Sequence, residues 1–200
     1  MDFPIKLHIH NSVDLGPVFE VTQARWSGAL ENFPDLKEKL VVTFSESEQE
    51  LDKCLNEADV LFCWDFNKRQ LQERASNLKW IHIHGAGVSH LRPFDWIPEE
   101  IILTNSRGVH GERASEYVMM AILMLNNRIP EMISNQRNSN WHQLFNTSIA
   151  GKTLLIVGVG SVGASAAKLA KQFGLEVIGI RRSGKTNEFV DCMYKPTDLR

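Results

Sequence analysis

Residues 152–170 read KTLLIVGVGSVGASAAKLA, and this stretch decides the fold. The apolar run Lys152–Val157 is typical of a buried strand, and the small-residue segment Ser161–Phe173 is typical of a helix. Between them residues 158–163 form a GxGxxG turn. Strand, glycine turn and helix in this order predict a βαβ unit that can hold the diphosphate of a dinucleotide.

Each glycine of the turn has its own physical reason. Gly158 permits the sharp turn out of the strand, Gly160 lets the backbone approach a pyrophosphate, and Gly163 lets the helix pack close to the strand. The helix N-terminus then offers free N–H groups and a positive dipole end to the phosphates. A glycine turn without a ligand is the alternative.

The residues after the next predicted strand, Glu176–Ile180, bear on the choice of cofactor. NAD sites usually place Asp or Glu about 20 residues beyond the motif, to accept from the ribose 2′-OH. Here the strand is followed by Arg181, Arg182 and Ser183. Because guanidinium groups attract a 2′-phosphate, we expect NADP to be preferred over NAD. A solvated basic loop beside an NAD site is the alternative.

The chain before residue 105 alternates short apolar runs with amphipathic stretches, which favours a parallel α/β sheet. The predicted strands are Ile5–His10, Leu40–Phe44, Asp59–Trp64, Leu78–His84 and Ile101–Thr104, and the predicted helices lie near Val18–Leu30, Glu48–Glu57 and Arg69–Ser76. The fourth strand leads into the turn Gly85-Ala86-Gly87-Val88, whose successive amides suit an anion such as a carboxylate. A plain turn is equally consistent with the sequence.

A polar break, Asn105–Gly111, precedes a long helix predicted over Glu112–Ile129 and ended by Pro130. The middle of this helix is apolar on every face, which predicts burial between layers, domains or subunits; an ordinary core helix is the alternative. We therefore expect two domains, residues 1–104 and residues 105–200.

The last four residues, 197–200, resemble the first turn of a helix, with Thr197 or Asp198 as its N-cap. The second sheet also has few predicted strands, which is fewer than a stable sheet needs. From both observations we expect the chain to be the front part of a longer protein.

Composition excludes several classes of function. Apolar residues make up 43% of the chain, and 22 Lys and Arg against 24 Asp and Glu give a net charge of −2. The apolar content and low charge together exclude a disordered chain, and the lack of a basic excess argues against binding to nucleic acid. The sequence has neither a signal-peptide pattern nor an apolar run long enough for a membrane, so we expect a cytoplasmic protein. No cysteine or histidine spacing indicates a metal site, and we expect the strand histidines to be hydrogen-bonded: His8, His10, His82 and His84.

Two segments together resemble the D-isomer-specific 2-hydroxyacid dehydrogenases: LTNSRGVHGERASEYVMMAILML from Leu103, and IAGKTLLIVGVGSVGASAAKLAKQFGLEVIGIRRS from Ile149. WIHIHGAGVSHL, from Trp80, looks like the substrate loop of that family. The resemblance implies a flavodoxin-like substrate domain joined by a hinge to a Rossmann-type, doubly wound cofactor domain, the latter incomplete here.

The resemblance also implies an activity and the residues that serve it. A 2-oxo acid and a D-2-hydroxy acid would be interconverted by hydride transfer with NAD(P)H, with glyoxylate or hydroxypyruvate reductase as the subtype. Ala86 and Gly87 would offer N–H groups to the substrate carboxylate, while Ser161 and Val162 would lie against the pyrophosphate. Arg181–Ser183 would surround the adenosine ribose. The small carboxylic acid would be the partner, together with a second copy of the chain through the Glu112–Ile129 helix region.

The catalytic arginine, glutamate and histidine of the family come later in its sequences, and none can be placed on residues 1–200. Ser89 stands where the family often has Asp, and Ser115-Glu116-Tyr117 stands where it often has Ala-Glu-His. The alternative function is therefore a non-catalytic dinucleotide-binding module or fragment of the same fold.

Overall fold

The computed structural model describes residues 4–12 and 16–199. The chain divides into two compact units, Met1–Arg107 and Gly108–Arg200. This division falls in the same polar segment as the boundary expected after Thr104. Among the described residues, none of the helices has both the length and the apolar character that crossing a bilayer requires.

The first unit is built on a sheet of five parallel strands in the order β2-β1-β3-β4-β5. This is the strand order of flavodoxin-like folds, so the predicted fold class is confirmed. The strands are β1 (Ile5–His10), β2 (Leu40–Ser45), β3 (Val60–Cys63), β4 (Trp80–Ile83) and β5 (Ile102–Asn105), and the helices are α1 (Gln23–Leu30), α2 (Glu48–Cys54) and α3 (Lys68–Arg74).

The core of the first unit forms where these helices cover the sheet. Leu51 of α2 and Leu71 of α3 pack against Leu61 and Ile81 of the central strands, and all four are almost completely buried. All five strands match the predicted ones within two residues at each end. Helix α1 begins later than predicted, at Gln23, because the Thr22 hydroxyl accepts a hydrogen bond from Arg25 N and caps the helix there.

The second unit holds three parallel strands in the order β6-β7-β8, with helices that include the predicted glycine-turn helix. The strands are β6 (Thr153–Val157), β7 (Glu176–Ile180) and β8 (Cys192–Tyr194), and the helices are α4 (Gly111–Asn126), α5 (Ile129–Arg137) and α6 (Ser161–Gln172). Helix α4 packs on α6 at a close approach, because a Cβ added to Gly111 would lie 2.5 Å from the Ser165 hydroxyl oxygen.

The long helix predicted over Glu112–Ile129 is wrong at its carboxyl end. Helix α4 ends at Asn126, Arg128 adopts a left-handed backbone conformation with φ of 55°, and α5 then begins with Pro130 in its first turn. Proline is accommodated in the first turn of a helix, where its missing N–H has no intrahelical partner. Pro130 therefore helps to start a second helix.

Within the second unit, α4 is buried on one face only and not on every face. Met119 faces α6 and is buried, whereas Tyr117 and Leu125 are 69% and 68% exposed. The predicted homodimer through this region remains a prediction.

Two features near the end of the second unit differ from the predictions. Strand β8 was not predicted, because a three-residue strand carries almost no periodic signal. The predicted N-cap at Thr197 or Asp198 is wrong, since residues 196–198 form a short 3₁₀ turn that Lys195 precedes. Asp198 instead accepts a hydrogen bond from the backbone N–H of Lys195. Arg200 lies outside the described residues.

The histidines of β1 form a buried hydrogen-bonded chain with the neighbouring strand β2. His8 lies 2.7 Å from the Thr43 hydroxyl and 2.8 Å from the Ser45 hydroxyl, and His10 lies 2.8 Å from the same Ser45 oxygen. His82 of β4 is likewise bonded to two hydroxyl groups. The expected hydrogen bonding of these three histidines is therefore confirmed, whereas the contacts of the His84 ring are with aromatic rings, stacked on Phe62 with ring centres 5.8 Å apart.

The buried His8 predicts a loss of stability in acid. Burial, and to a lesser extent the neighbouring His10, lowers the pKa of His8 from 6.5 to about 4. Between these values the unfolded chain binds more protons than the folded one, so the free energy of unfolding falls as the pH drops through this window, by up to about 3 kcal/mol from His8. Urea unfolding followed by circular dichroism at several pH values measures the effect.

The variant His8→Gln keeps hydrogen-bonding groups but cannot titrate, so its unfolding free energy should depend less on pH between about 6.5 and about 4. An undiminished dependence in His8→Gln contradicts the assignment.

Candidate functional site

The glycine turn of the second unit lies at the carboxyl ends of β6 and β7. Gly158 has φ of +103°, a conformation that only glycine adopts without strain. Its N–H and that of Val159 both donate to the carbonyl oxygen of Ile180, at 2.9 and 3.3 Å. The turn is therefore tied to the end of β7, at the edge where ligands bind in open parallel sheets.

Close packing fixes the helix that follows the turn. A Cβ on Gly163 would collide with the carbonyl oxygen of Gly158 and would also crowd Ile156. Helix α6 can lie this close to β6 only because residue 163 has no side chain. The three positions expected to require glycine therefore differ. Gly158 requires glycine because of its positive φ, and Gly163 requires it because no side chain fits there. At Gly160 a Cβ would have no atom within 4 Å, so the protein itself does not require glycine at this position.

The amino terminus of α6 is open to an anion. Gly160 stands at the N-cap without any side-chain cap, and the first turn carries no acidic residue. The amides of the first turn, which include those of Ser161 and Val162, have no partner within the helix. With the free space beside Gly160, this arrangement fits a diphosphate that the backbone and the helix dipole would hold.

The basic residues predicted to surround the ribose lie next to this turn. Val157 and Ile180 are paired neighbours in the sheet, so Arg181 begins the loop directly beside Gly158. Within residues 4–12 and 16–199, no carboxylate forms an ion pair with Arg181 or Arg182. The structure therefore brings residues 158–163 together with residues 181–183.

One basic residue beside this loop was missed from the sequence. The Lys195 side chain packs against Gly184, where an added Cβ would lie 2.9 Å from its Cε. Lys195 follows β8, so its position could have been found only by recognising that strand. The carboxylate of Asp191 is occupied elsewhere, because it binds Lys171 Nζ and the Val177 N–H, and these bonds lower its pKa.

The turn predicted to bind a carboxylate belongs to the first unit and follows β4. Gly85 lies against the Trp64 ring, which occupies the space that a Cβ would need. Ala86 is half-buried and Gly87 is exposed, with no atom within 4 Å of its ideal Cβ position. Among the described residues, nothing accepts a hydrogen bond from the N–H of Ala86 or of Gly87. Both donors are therefore available to an anion.

The parts of the chain that the structure covers contain no group of three or more His, Cys, Asp or Glu side chains placed to share a metal ion. His110 stands at the N-cap of α4. Each unit thus presents a turn with unpartnered backbone amides at the end of a parallel strand, and these two turns are the candidate anion sites.

Comparison with known proteins shows which family the chain is similar to. The model of the family described as "D-isomer specific 2-hydroxyacid dehydrogenase, NAD binding domain" matches residues 119–200. A hydroxypyruvate reductase from Thermotoga maritima is 29% identical over 174 residues, which are 82% of this chain and 57% of that protein. The chain spans 31% to 57% of the length of this and two other curated relatives.

Solved structures of similar proteins extend over both units. A D-isomer specific 2-hydroxyacid dehydrogenase family protein from Aeromonas salmonicida has a TM-score of 0.74 at 28% identity, covering 98% of this chain and 59% of that one. An NADPH-dependent glyoxylate/hydroxypyruvate reductase from Sinorhizobium meliloti, in complex with NADP and sulfate, has a TM-score of 0.70 at 25% identity, covering 96% and 57%. With the parallel sheets and the glycine turn described above, these similarities lead to one conclusion: residues 119–200 match the NAD binding domain of the D-isomer specific 2-hydroxyacid dehydrogenases, and the chain is similar to members of that family over most of its length.

Proposed function

We propose that the protein is an NAD(P)-dependent oxidoreductase that interconverts a small 2-oxo acid and the corresponding D-2-hydroxy acid, of the glyoxylate or hydroxypyruvate reductase type. The observation that carries the proposal is the open glycine turn at residues 158–163, with its close approach at Gly163 and its uncapped helix start. Relatives named glyoxylate reductase and hydroxypyruvate reductase support the substrate class.

Each unit contributes one binding function to this proposal. In the second unit, the amides of Ser161 and Val162 bind the pyrophosphate, and Gly158 and Gly160 leave room for it. In the first unit, the amides of Ala86 and Gly87 bind the substrate carboxylate. The two units would accordingly be the substrate domain and the cofactor domain.

The nicotinamide of a bound dinucleotide supplies the hydride that such a reaction needs. The residues of this chain bind and orient the two reactants, which removes much of the entropic barrier to their reaction. The acid–base groups of the family, an arginine, a glutamate and a histidine, have no counterpart assigned within residues 1–200. A non-catalytic dinucleotide-binding module is therefore the alternative that an assay must distinguish.

We infer a preference for NADP over NAD from the residues after β7. The guanidinium groups of Arg181 and Arg182 have no carboxylate partner in the described part of the chain, and the Ser183 hydroxyl lies in the same loop. A 2′-phosphate would supply the missing negative charge, whereas a bare hydroxyl would not. The Sinorhizobium meliloti structure, named NADPH-dependent, supports the inference.

We further propose that the protein acts in the cytoplasm as a homodimer through the Glu112–Ile129 region. The exposed Tyr117, Met120 and Leu125 form an apolar surface along α4 that a second copy could cover. All three cysteines are free, which suits a reducing compartment.

An assay with the full-length protein tests the activity. Glyoxylate and hydroxypyruvate should each be reduced at the expense of NADPH, measured by the fall in absorbance at the nicotinamide band. A protein that binds NADPH but reduces no 2-oxo acid would instead be the non-catalytic module.

The variant Gly160→Val tests the position of the diphosphate. A Cβ added at residue 160 would have no protein atom within 4 Å, so we expect the fold to be kept while the space for the pyrophosphate is lost. We expect the Kd for NADPH to rise about tenfold or more, roughly the effect of losing one or two good contacts. Isothermal titration measures the Kd, and circular dichroism measures the melting temperature.

Gly28→Ala, at a glycine of α1 that also has no neighbour within 4 Å, is the matched control and should leave the Kd unchanged. An unaltered Kd for NADPH in Gly160→Val would contradict the proposal that the diphosphate binds at this turn.

The double variant Arg181→Ala/Arg182→Ala tests the cofactor preference. Loss of two charges that face a 2′-phosphate should raise the KM for NADPH by about tenfold or more and leave the KM for NADH nearly unchanged. Arg137→Ala, at an exposed cation in the last turn of α5, is the control. A clear preference of the unmodified protein for NADH would refute the inference.

A further inference from the structure

We propose that Asn105 is a positioning residue that aims the Gly87 amide at the carboxylate of the reactant. This inference rests on the proposed function, because it takes the Gly85–Gly87 turn as the carboxylate-binding element. It assigns to the end of β5 a role that the turn itself does not reveal.

The contact that carries the inference joins β5 to the turn. Asn105 Nδ2 donates a hydrogen bond of 2.8 Å to the carbonyl oxygen of Ala86. Asn105 is paired with Ile83 in the sheet, so its side chain starts beside the strand end that leads into the turn. Asn105 is half-buried, which shields this bond from competing water.

Peptide geometry turns that contact into an orientation. In a planar trans peptide the C=O and the N–H of one unit point in opposite directions. Because the Ala86 carbonyl is held toward Asn105, the N–H of Gly87 is directed away from Asn105. Rotation of this peptide would break the bond and would aim a carbonyl oxygen, which repels anions, where the N–H now points.

The preceding peptide is held in the same way by the backbone of the next residue. Ser106 N–H lies 3.1 Å from the carbonyl oxygen of Gly85 and 3.2 Å from that of Ile83. The N–H of Ala86 is therefore also directed away from β5. The N–H groups of Ala86 and Gly87 are thus both oriented indirectly, because the carbonyl group of the same peptide is held by a hydrogen bond on the other side.

Aromatic packing limits movement of the turn from another direction. The Trp64 ring fills the Cβ space of Gly85 and stacks on His90 with ring centres 4.5 Å apart. His90 Nε2 lies 2.9 Å from the carbonyl oxygen of Trp64, which ties the end of β3 to the residues after the turn. These contacts therefore hold Gly85 and the residues that flank the turn, and the bond from Asn105 holds the peptide between Ala86 and Gly87.

A donor fixed before the ligand arrives binds an anion more tightly than one that must first be ordered. Asn105→Ala removes the restraint, and Asn105→Asp removes the donor while keeping the size of the side chain. In both variants of the full-length protein we expect the KM for glyoxylate to rise about tenfold or more, the usual effect of a hydrogen bond to a charged group. The kcat should change much less, because the Gly87 amide binds the carboxylate equally in the ground state and in the transition state. The KM for NADPH should also change much less, because the cofactor does not bind to this turn.

The matched control is Asn77→Ala. Asn77 Nδ2 donates a hydrogen bond of 2.7 Å to the carbonyl oxygen of Asn56, a bond of the same kind in the same unit but away from the turn.

A second readout is the amide resonance of Gly87 in ¹H–¹⁵N spectra with oxalate as the probe. The resonance should move on titration in the unmodified protein and should move at much higher oxalate concentration in the Asn105 variants.

A purely structural role of Asn105 would lower the melting temperature without raising the KM for glyoxylate, and that result overturns the inference. An equal rise in KM in Asn77→Ala would also overturn it. If the unmodified protein reduces glyoxylate but both Asn105 variants keep its KM, only this inference fails. If the unmodified protein neither reduces a 2-oxo acid nor shows a response of Gly87 to oxalate, the proposed function fails with it.

Discussion

The second unit depends on the contact between Gly163 and the carbonyl group of Gly158. No side chain fits between them, so α6 lies directly on β6 and its first turn opens at the carboxyl edge of the sheet. Any larger residue at position 163 would push the helix away from the strand and would displace the amides that face the open space. The same closeness brings α6 against α4 at Gly111, so small residues determine both sides of this helix.

Both candidate sites are built from backbone amides at the ends of parallel strands, and each is held by its neighbour strand. Ile180 of β7 accepts from the amides of Gly158 and Val159, and the residues at the end of β5 hold the turn after β4. In a parallel sheet these strand ends lie side by side, so a loop can be oriented by the element next to it without any contribution from its own side chains. In the proposed reaction the two turns therefore bind the reactants through their backbone amides and need not supply reactive side chains.

Much of the fold could be predicted from the sequence because its signals are local. Ile5–His10 and Glu176–Ile180 are β-rich runs with flanking polar residues, and their bounds were predicted to the residue. The signals failed where a single backbone conformation or a tertiary contact decides: the left-handed Arg128 divides the long helix, and β8 forms only because β7 offers its edge. The same holds for the candidate sites. The glycine spacing is a local signal that can be read from the sequence, whereas the position of Lys195 and the bond from Asn105 to Ala86 depend on how the strands pair in the sheets.

The buried chain from Thr43 through His8 and Ser45 to His10 has a consequence for where its hydrogens lie. The Ser45 hydroxyl carries one hydrogen, yet a ring nitrogen lies 2.8 Å away on each side of its oxygen. Ser45 can donate to only one imidazole, so the other imidazole must carry its own hydrogen on the nitrogen that faces Ser45. The tautomers of His8 and His10 are therefore coupled through one oxygen atom, and a change of tautomer at either ring requires the hydroxyl to rotate and the second ring to respond.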